Sequence, residues 1–241
     1  NPVDYPEVMK TLTCCLLCNS ASLVEENGRY KIAGDPTEGA LLSAGLKAGL
    51  EKNKLEEELP LVEEIPFDSE RKMMTMIRRL GEQYIAYVKG APDILLRYCT
   101  KLLVNGQEVP LGEQELKEIL EVNDSLAKQA LRVLGCAYRI LPSLPEKMDE
   151  SSIEKDLTFA GLVAMIDPPR SEAIEAINKC LQAGIKPVMI TGDHKTTAMA
   201  IASEMGMLQP GAEALSGEEL DSLSQEELEK RVEKIQVYAR V

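Results

Sequence analysis

The sequence predicts a mixed α/β (α+β) chain in two parts: an antiparallel sheet flanked by helices, then a doubly wound parallel sheet. Three observations predict it. Residues 73–80 and 84–89 are short apolar runs rich in β-branched and aromatic side chains, parted by Gly81-Glu82, which is a hairpin signal. Residues 113–131 carry Leu116, Ile119, Leu120, Leu126, Ala127 and Ala130 on one helical face, as a long amphipathic helix laid on a sheet would. From Thr158 onward, fully apolar strands alternate with helices, the pattern of a parallel sheet covered on both faces.

The elements follow in chain order. Residues 6–18 have apolar side chains at helical spacing and stop near Asn19. Residues 29–33 predict a short strand. Asp35-Pro-Thr-Glu38 then opens an apolar helical run that ends near Gly49. Asp35 as N-cap, Pro36 at the first helical position and Glu38 three residues on form a capping-box start. Residues 51–58 are a charged helical piece that Pro60 ends, and 61–67 lead into the first hairpin. Residues 93–98 predict a short helix, and 101–109 a second hairpin turning at Asn105-Gly106. The long helix comes next, then a strand at 132–140. Residues 141–156 hold Pro142, Pro145 and clustered acids and serines, so they read as a surface connection. Beyond lie strands at 158–166, 185–191, 213–216 and 236–241, with helices at 170–182, 195–205 and 225–232. The expected domains are therefore 1–155 and 156–241.

Composition narrows the function. The chain has 27 Lys plus Arg against 40 Asp plus Glu, a formal charge of -13, and this argues against nucleic acid or an anionic membrane surface as partner. Basic residues gather locally, at Arg71-Lys72 and Arg78-Arg79, which suits a small anionic ligand. No apolar run approaches the roughly 20 residues of a membrane helix, and the first residues lack the features of a signal peptide, so these residues are expected to be soluble. Cys15 and Cys18 have the spacing of a redox or zinc pair, but no second pair follows and His194 is the sole histidine. They fall in an apolar helical pattern, where buried thiols act as small hydrophobes, and free thiols suit a reducing cytosol.

Folding the first hairpin at Gly81 brings its two ends together. Phe67, Arg71 and Lys72 stand at one, and Lys89, Gly90 and Ala91 at the other. This gives an aromatic face, several cations and a glycine that backbone can approach closely. A flat polyanion such as a nucleotide needs those parts; a solvated hairpin with basic ends shows the same spacing. Thr191-Gly192-Asp193 lies past the carboxyl end of an apolar strand and before a helix, where open α/β sheets bind ligands and phosphate meets backbone N–H groups. An ordinary turn with Asp193 as helix cap reads alike. Asp167-Pro-Pro-Arg170 is a plain helix start, or a semi-rigid hinge stiffened by its prolines.

Phe67-Asp-Ser-Glu-Arg-Lys72 followed by Val88-Lys-Gly-Ala-Pro92 closely resembles the nucleotide-binding domain of P-type cation-transporting ATPases, above all the bacterial and organellar calcium-pump branch. Gly34-Asp-Pro-Thr-Glu-Gly-Ala-Leu41, Leu131-Arg132-Val-Leu, Asp167-Pro-Pro-Arg170 and Thr191-Gly-Asp193 agree in the same order, so the likeness covers nearly the whole chain. The resemblance implies a nucleotide-binding domain lacking its first strands, then an incomplete haloacid-dehalogenase-like phosphorylation domain. It implies ATP with Mg²⁺, Phe67 stacked on adenine and Glu38 accepting from the adenine edge. Lys72, Lys89 and Arg132 would hold phosphates, Arg240 would lie near the ribose, and Thr191, Gly192 and Asp193 would surround the γ-phosphate. Asp167 and Arg170 would mark the junction of the two domains. Its partners would be the rest of the same pump: actuator, remaining phosphorylation domain and transmembrane helices, at the cytoplasmic face of a membrane.

Two departures qualify the likeness. Ser69 stands where many calcium pumps have an arginine, which removes one phosphate donor. The family's nucleophile word, Asp-Lys-Thr-Gly-Thr, does not occur, nor does its second magnesium word, so a catalytically inactive fragment is expected. The strand ending at Thr191 would then expose an apolar edge, leaving the second half less stable or paired with a second copy. A soluble phosphatase of the haloacid-dehalogenase type would need an Asp-x-Asp nucleophile word, and none is present. A nucleotide-binding module without catalysis would use the first domain alone.

Overall fold

The computed structural model of the chain describes residues 2–26, 29–129, 131–166, 170–192 and 195–241. Contacts divide it into two units, Asn1–Asp124 with Arg132–Met165, and Ser125–Leu131 with Ile166–Val241.

In the first unit α1 (Pro6–Leu17) precedes a small hairpin of β1 (Ser22–Glu26) and β2 (Arg29–Ala33). Then come α2 (Pro36–Lys47), α3 (Lys52–Glu58), β3 (Leu61–Asp68), β4 (Met73–Leu80), β5 (Gln83–Gly90) and α4 (Pro92–Leu95). The unit continues through β6 (Cys99–Val104), β7 (Gln107–Pro110), α5 (Glu113–Lys128), β8 (Arg132–Leu141), α6 (Glu150–Ile153) and β9 (Leu157–Met165). Seven strands form one sheet in the order β3-β4-β5-β8-β9-β6-β7. Neighbours are antiparallel except β6 and β9.

The central strands are apolar on both faces because helices cover both. Met74, Met76, Ile85, Tyr87, Cys136 and Tyr138 pack with Cys14, Cys15 and Leu17 of α1 and with Cys18, which caps it. On the opposite face Met73, Val88, Ala137, Leu157 and Phe159 meet Leu95 and Leu96, with Leu116, Ile119 and Leu120 of α5 against them. The thiols of Cys14, Cys15 and Cys18 are wholly buried; the sulfurs of Cys15 and Cys136 lie 3.5 Å apart, and Cys14 and Cys18 donate to backbone carbonyls.

The strand expected at 158–166 differs in placement. The sequence pattern puts it in the parallel sheet, but β9 is antiparallel to β8, from Arg132 opposite Met165 to Tyr138 opposite Thr158. A continuous apolar run marks a strand covered on both faces, and here α1 and α5 do the covering, so the run does not distinguish parallel from antiparallel neighbours. The division by contact accordingly falls after Met165, later than the expected residue 155. The connection at 141–156 also does more than cross the surface. Ile153 joins a core cluster with Ile77, Ala86 and Leu141, and Glu154 is buried beside it.

The second unit contains α7 (Ser171–Gln182), β10 (Met189–Thr191), α8 (Lys195–Glu204), β11 (Glu213–Ser216), α9 (Gly217–Asp221), α10 (Gln225–Arg231) and β12 (Ile235–Ala239). Its strands are parallel in the order β10-β12-β11, as the alternating pattern predicts. Ser216 and Ser224 begin α9 and α10 with complete capping boxes. The apolar strand expected from residue 185 is shorter than foreseen: only residues 189–191 pair, and Ile185 and Val188 are exposed.

Candidate functional site

The ends of β4 and β5 meet as the hairpin predicts, with Met73 opposite Gly90 and Met74 opposite Lys89. Phe67 lies near the end of β3 and is 62% exposed. The loop after it is rigidly built. Asp68 accepts from the amides of Glu70 and Arg71, each at 2.9 Å, and these bonds hold its carboxyl below the usual range. Lys72 donates its amide to the Asp68 carbonyl and adopts φ 52, while its own carbonyl accepts from Ala91. At Gly90 a β-carbon would lie 2.5 Å from that Lys72 carbonyl, so a glycine is needed for the strand ends to approach.

A cavity of about 690 Å³ opens at this place, lined by Glu38, Phe67, Lys72, Lys89, Gly90 and Arg132 among others. That volume suits a small-molecule site. Asp35, Thr37, Glu64 and the turn residue Ser20 complete its polar rim, and Leu41, Met74, Val133 and Leu134 its apolar floor.

Asp35 caps α2 as expected, accepting from the amides of Thr37 and Glu38. Burial works against its charge, but those bonds and the nearby Arg132 outweigh it and hold its pKa low. Arg132 in turn donates to the Thr37 hydroxyl at 2.6 Å. Glu38 does not close the capping box. Its Oε2 accepts from the amides of Ser20 and Ala21 at 3.1 and 3.0 Å, and its Oε1 from the Lys89 ammonium at 2.5 Å. Both side chains of that ion pair are largely buried. Burial alone would push the Lys89 pKa down; Cys18 and Glu38 beside it leave the net shift upward.

Of the candidates in the first unit, Arg71 does not line the cavity. Its guanidinium donates to the buried Glu154 carboxylate and to the Pro66 carbonyl, each at 2.5 Å, and Thr75 donates to the same Glu154 oxygen. Its neighbour in charge, Arg78, is also committed: it is 1% exposed and donates to the Leu17 and Leu59 carbonyls and to Glu56. Both arginines are tied to partners within the fold.

The second unit gathers its candidates at the carboxyl end of its sheet. Thr191 of β10 pairs with Ala239 of β12, and Ser216 of β11 pairs with the same residue. Gly192 and Arg240 follow directly, Arg240 with φ 53. Arg170 is the exposed residue before α7. Asp167 and Asp193 lie outside the described residues.

Residues 7–172 match the model of the family described as P-type ATPase, cytoplasmic domain N. The chain belongs to that family. The calcium-transporting ATPase 1 of Bacillus cereus is 44% identical over 226 residues, covering 94% of this chain and 25% of that protein. The calcium-transporting ATPase of Bacillus subtilis is 44% identical over 240 residues, 99% of this chain and 27% of the relative. A calcium-transporting ATPase of Listeria monocytogenes is 40% identical over 242 residues, 100% of this chain and 27% of the relative. The chain thus spans about a quarter of the length of the curated relatives it matches.

Proposed function

We propose that the first unit binds ATP, as the nucleotide-receiving part of a P-type pump. Phe67 offers its exposed ring to adenine, and Glu38 accepts from the exocyclic amine. Lys89 is turned toward Glu38, which puts it at the base end, so the phosphate charge falls mainly to Lys72 and Arg132. Gly90 lets the nucleotide approach the backbone. Mg²⁺ would arrive with the triphosphate and neutralise part of its charge. One observation carries this reading: α2, β3, β5 and β8, far apart in sequence, deliver an aromatic ring, a carboxylate and cations to a single cavity.

In the intact protein this ATP would phosphorylate an aspartate outside these 241 residues and drive cation transport, with Ca²⁺ favoured by the names of the relatives. Thr191, Gly192 and Asp193 would surround the γ-phosphate, Arg240 would approach the ribose, and Asp167 and Arg170 would mark a hinge. The partners would be the pump's actuator, the rest of its phosphorylation domain and its membrane helices, with this part at the cytoplasmic face. No helix among the described residues is long and apolar enough to cross a membrane. By itself the chain would bind ATP without hydrolysing it, and β10 would be where a second copy pairs.

Calorimetric titration tests the central point. Stacking on an aromatic is worth roughly 1–3 kcal/mol per base, so Phe67→Ala is expected to weaken ATP binding about 5- to 150-fold. Unchanged affinity would remove Phe67 from the site.

A further inference from the structure

The Glu38 carboxylate is held from behind by a turn, and a buried asparagine side chain ties that turn to two helices. Asn19 is 1% exposed. Its amide nitrogen donates to the Cys15 carbonyl at 3.0 Å and to the Glu38 carbonyl at 2.9 Å, and its oxygen accepts from the Ala21 amide at 2.9 Å. It therefore ties the end of α1, the first turn of α2 and the Ser20–Ala21 backbone to one another. Lys52 closes the same turn from outside, donating to the Asn19 and Ala21 carbonyls at 2.7 and 2.8 Å.

The arrangement fixes what Glu38 is able to recognise. An ionised carboxylate has about four acceptor positions and no donor. The Ser20 and Ala21 amides fill Oε2, and Lys89 takes one position on Oε1. One acceptor position is left on a residue that lines the cavity. A ring amine satisfies it; a ring carbonyl at the same place faces another acceptor. Discrimination of this kind depends on the carboxylate staying where it is, because a free glutamate rotates away from a mismatched partner.

We infer that Asn19 is a positioning residue that sets base selectivity, by fixing the two backbone donors that aim Glu38 into the cavity. This rests on the ATP-binding reading above and adds a residue that touches no ligand.

The test compares ATP with inosine triphosphate, which carries a carbonyl in place of the 6-amino group, on the full 241-residue chain. The wild type is expected to prefer ATP by roughly tenfold or more, about the worth of one hydrogen bond to a charged group. Asn19→Ala should lower ATP affinity toward that of inosine triphosphate while leaving inosine triphosphate binding nearly unchanged. A merely structural role would weaken both ligands together, and that result, or an unchanged preference in a folded variant, overturns the inference. Should the variant fail to fold, wild-type amide resonances decide: Ser20 and Ala21 should shift with ATP and much less with inosine triphosphate, and equal shifts overturn it. A wild type that binds neither nucleotide removes the ATP reading itself, a distinguishable failure.

Discussion

The two units enclose their strands to very different degrees. In the first, β4 and β5 are each buried along six consecutive residues because helices cover both sheet faces. Its charged interior is closed as well, with Arg78, Glu154 and Lys89 all partnered. Among the described residues the second has one buried cluster, built on Ala198, Ala202, Met207, Val237 and Ala239. Its outer strand β10 leaves Ile190 73% exposed, with Ile185 at 58% nearby. Hydrophobic stabilisation scales with apolar area removed from water, so the first unit should be the more resistant of the two.

The largest effect expected is on the closed interior of the first unit. Arg78→Met leaves the Leu17 and Leu59 carbonyls without their buried donor, at a cost of about 2–5 kcal/mol. Hydrogen exchange resolved by segment should show that loss in the first unit, with protection in the second unchanged. A parallel loss in both would mean that they unfold as one body.

Alkaline pH sharpens the contrast further. Burial raises the pKa of Cys18, Cys99, Tyr87 and Tyr138, and Cys136 is raised by its bonds to Cys14 and Cys15 together with burial. A group whose folded pKa lies above its unfolded value stabilises the fold fully below the unfolded value, and that support is lost as pH rises. The ordinary values are 9.0 for the thiols and 10.0 for the phenols, so the first unit should lose thermal stability above about pH 9. In the second unit the resolved shifts, at Glu219 and Glu227, are downward, and hydrogen bonds from Lys195 and Ser224 lead their causes. Their support is present above the usual carboxylate range and is lost in acid. A melting curve taken across pH 8 to 11 should therefore move for one unit and stay for the other (a roughly 3-unit window around the ordinary thiol and phenol values).

The smallest effect concerns the outer strand. Ile190→Lys changes an exposed side chain and should alter stability by less than about 0.5 kcal/mol. It should abolish any self-association through β10, as measured by sedimentation equilibrium. A wild type that stays monomeric at high concentration would end the pairing proposal.

Much of this was legible in the residues. The hairpin at Gly81 was, because a doubly covered strand shows an unbroken apolar run with turn residues at its end. So was the second hairpin, where Asn105 and Gly106 take φ 49 and 75. The aromatic and the lysines of the cavity were marked by their words. What escaped was pairing over distance. Arg71 and Arg78 read as ligand cations, yet their partners Glu154 and the Leu17 carbonyl lie 83 and 61 residues away. Charge is visible in a sequence, but the group that receives its hydrogen bonds is not. The same blindness hid Asn19, which reads as a helix stop, and β1, whose Glu25 and Glu26 dilute the strand pattern.

The Lys89–Glu38 pair has a consequence for the cavity it lines. Each of the two groups completes the other, so neither is a lone charge against an apolar wall. A ligand that met Glu38 would add one more bond to an arrangement already in place, and its departure would strand no ion. Entry and exit would then call for little rebuilding, so little of the contact energy would go into ordering the charged groups of the pocket.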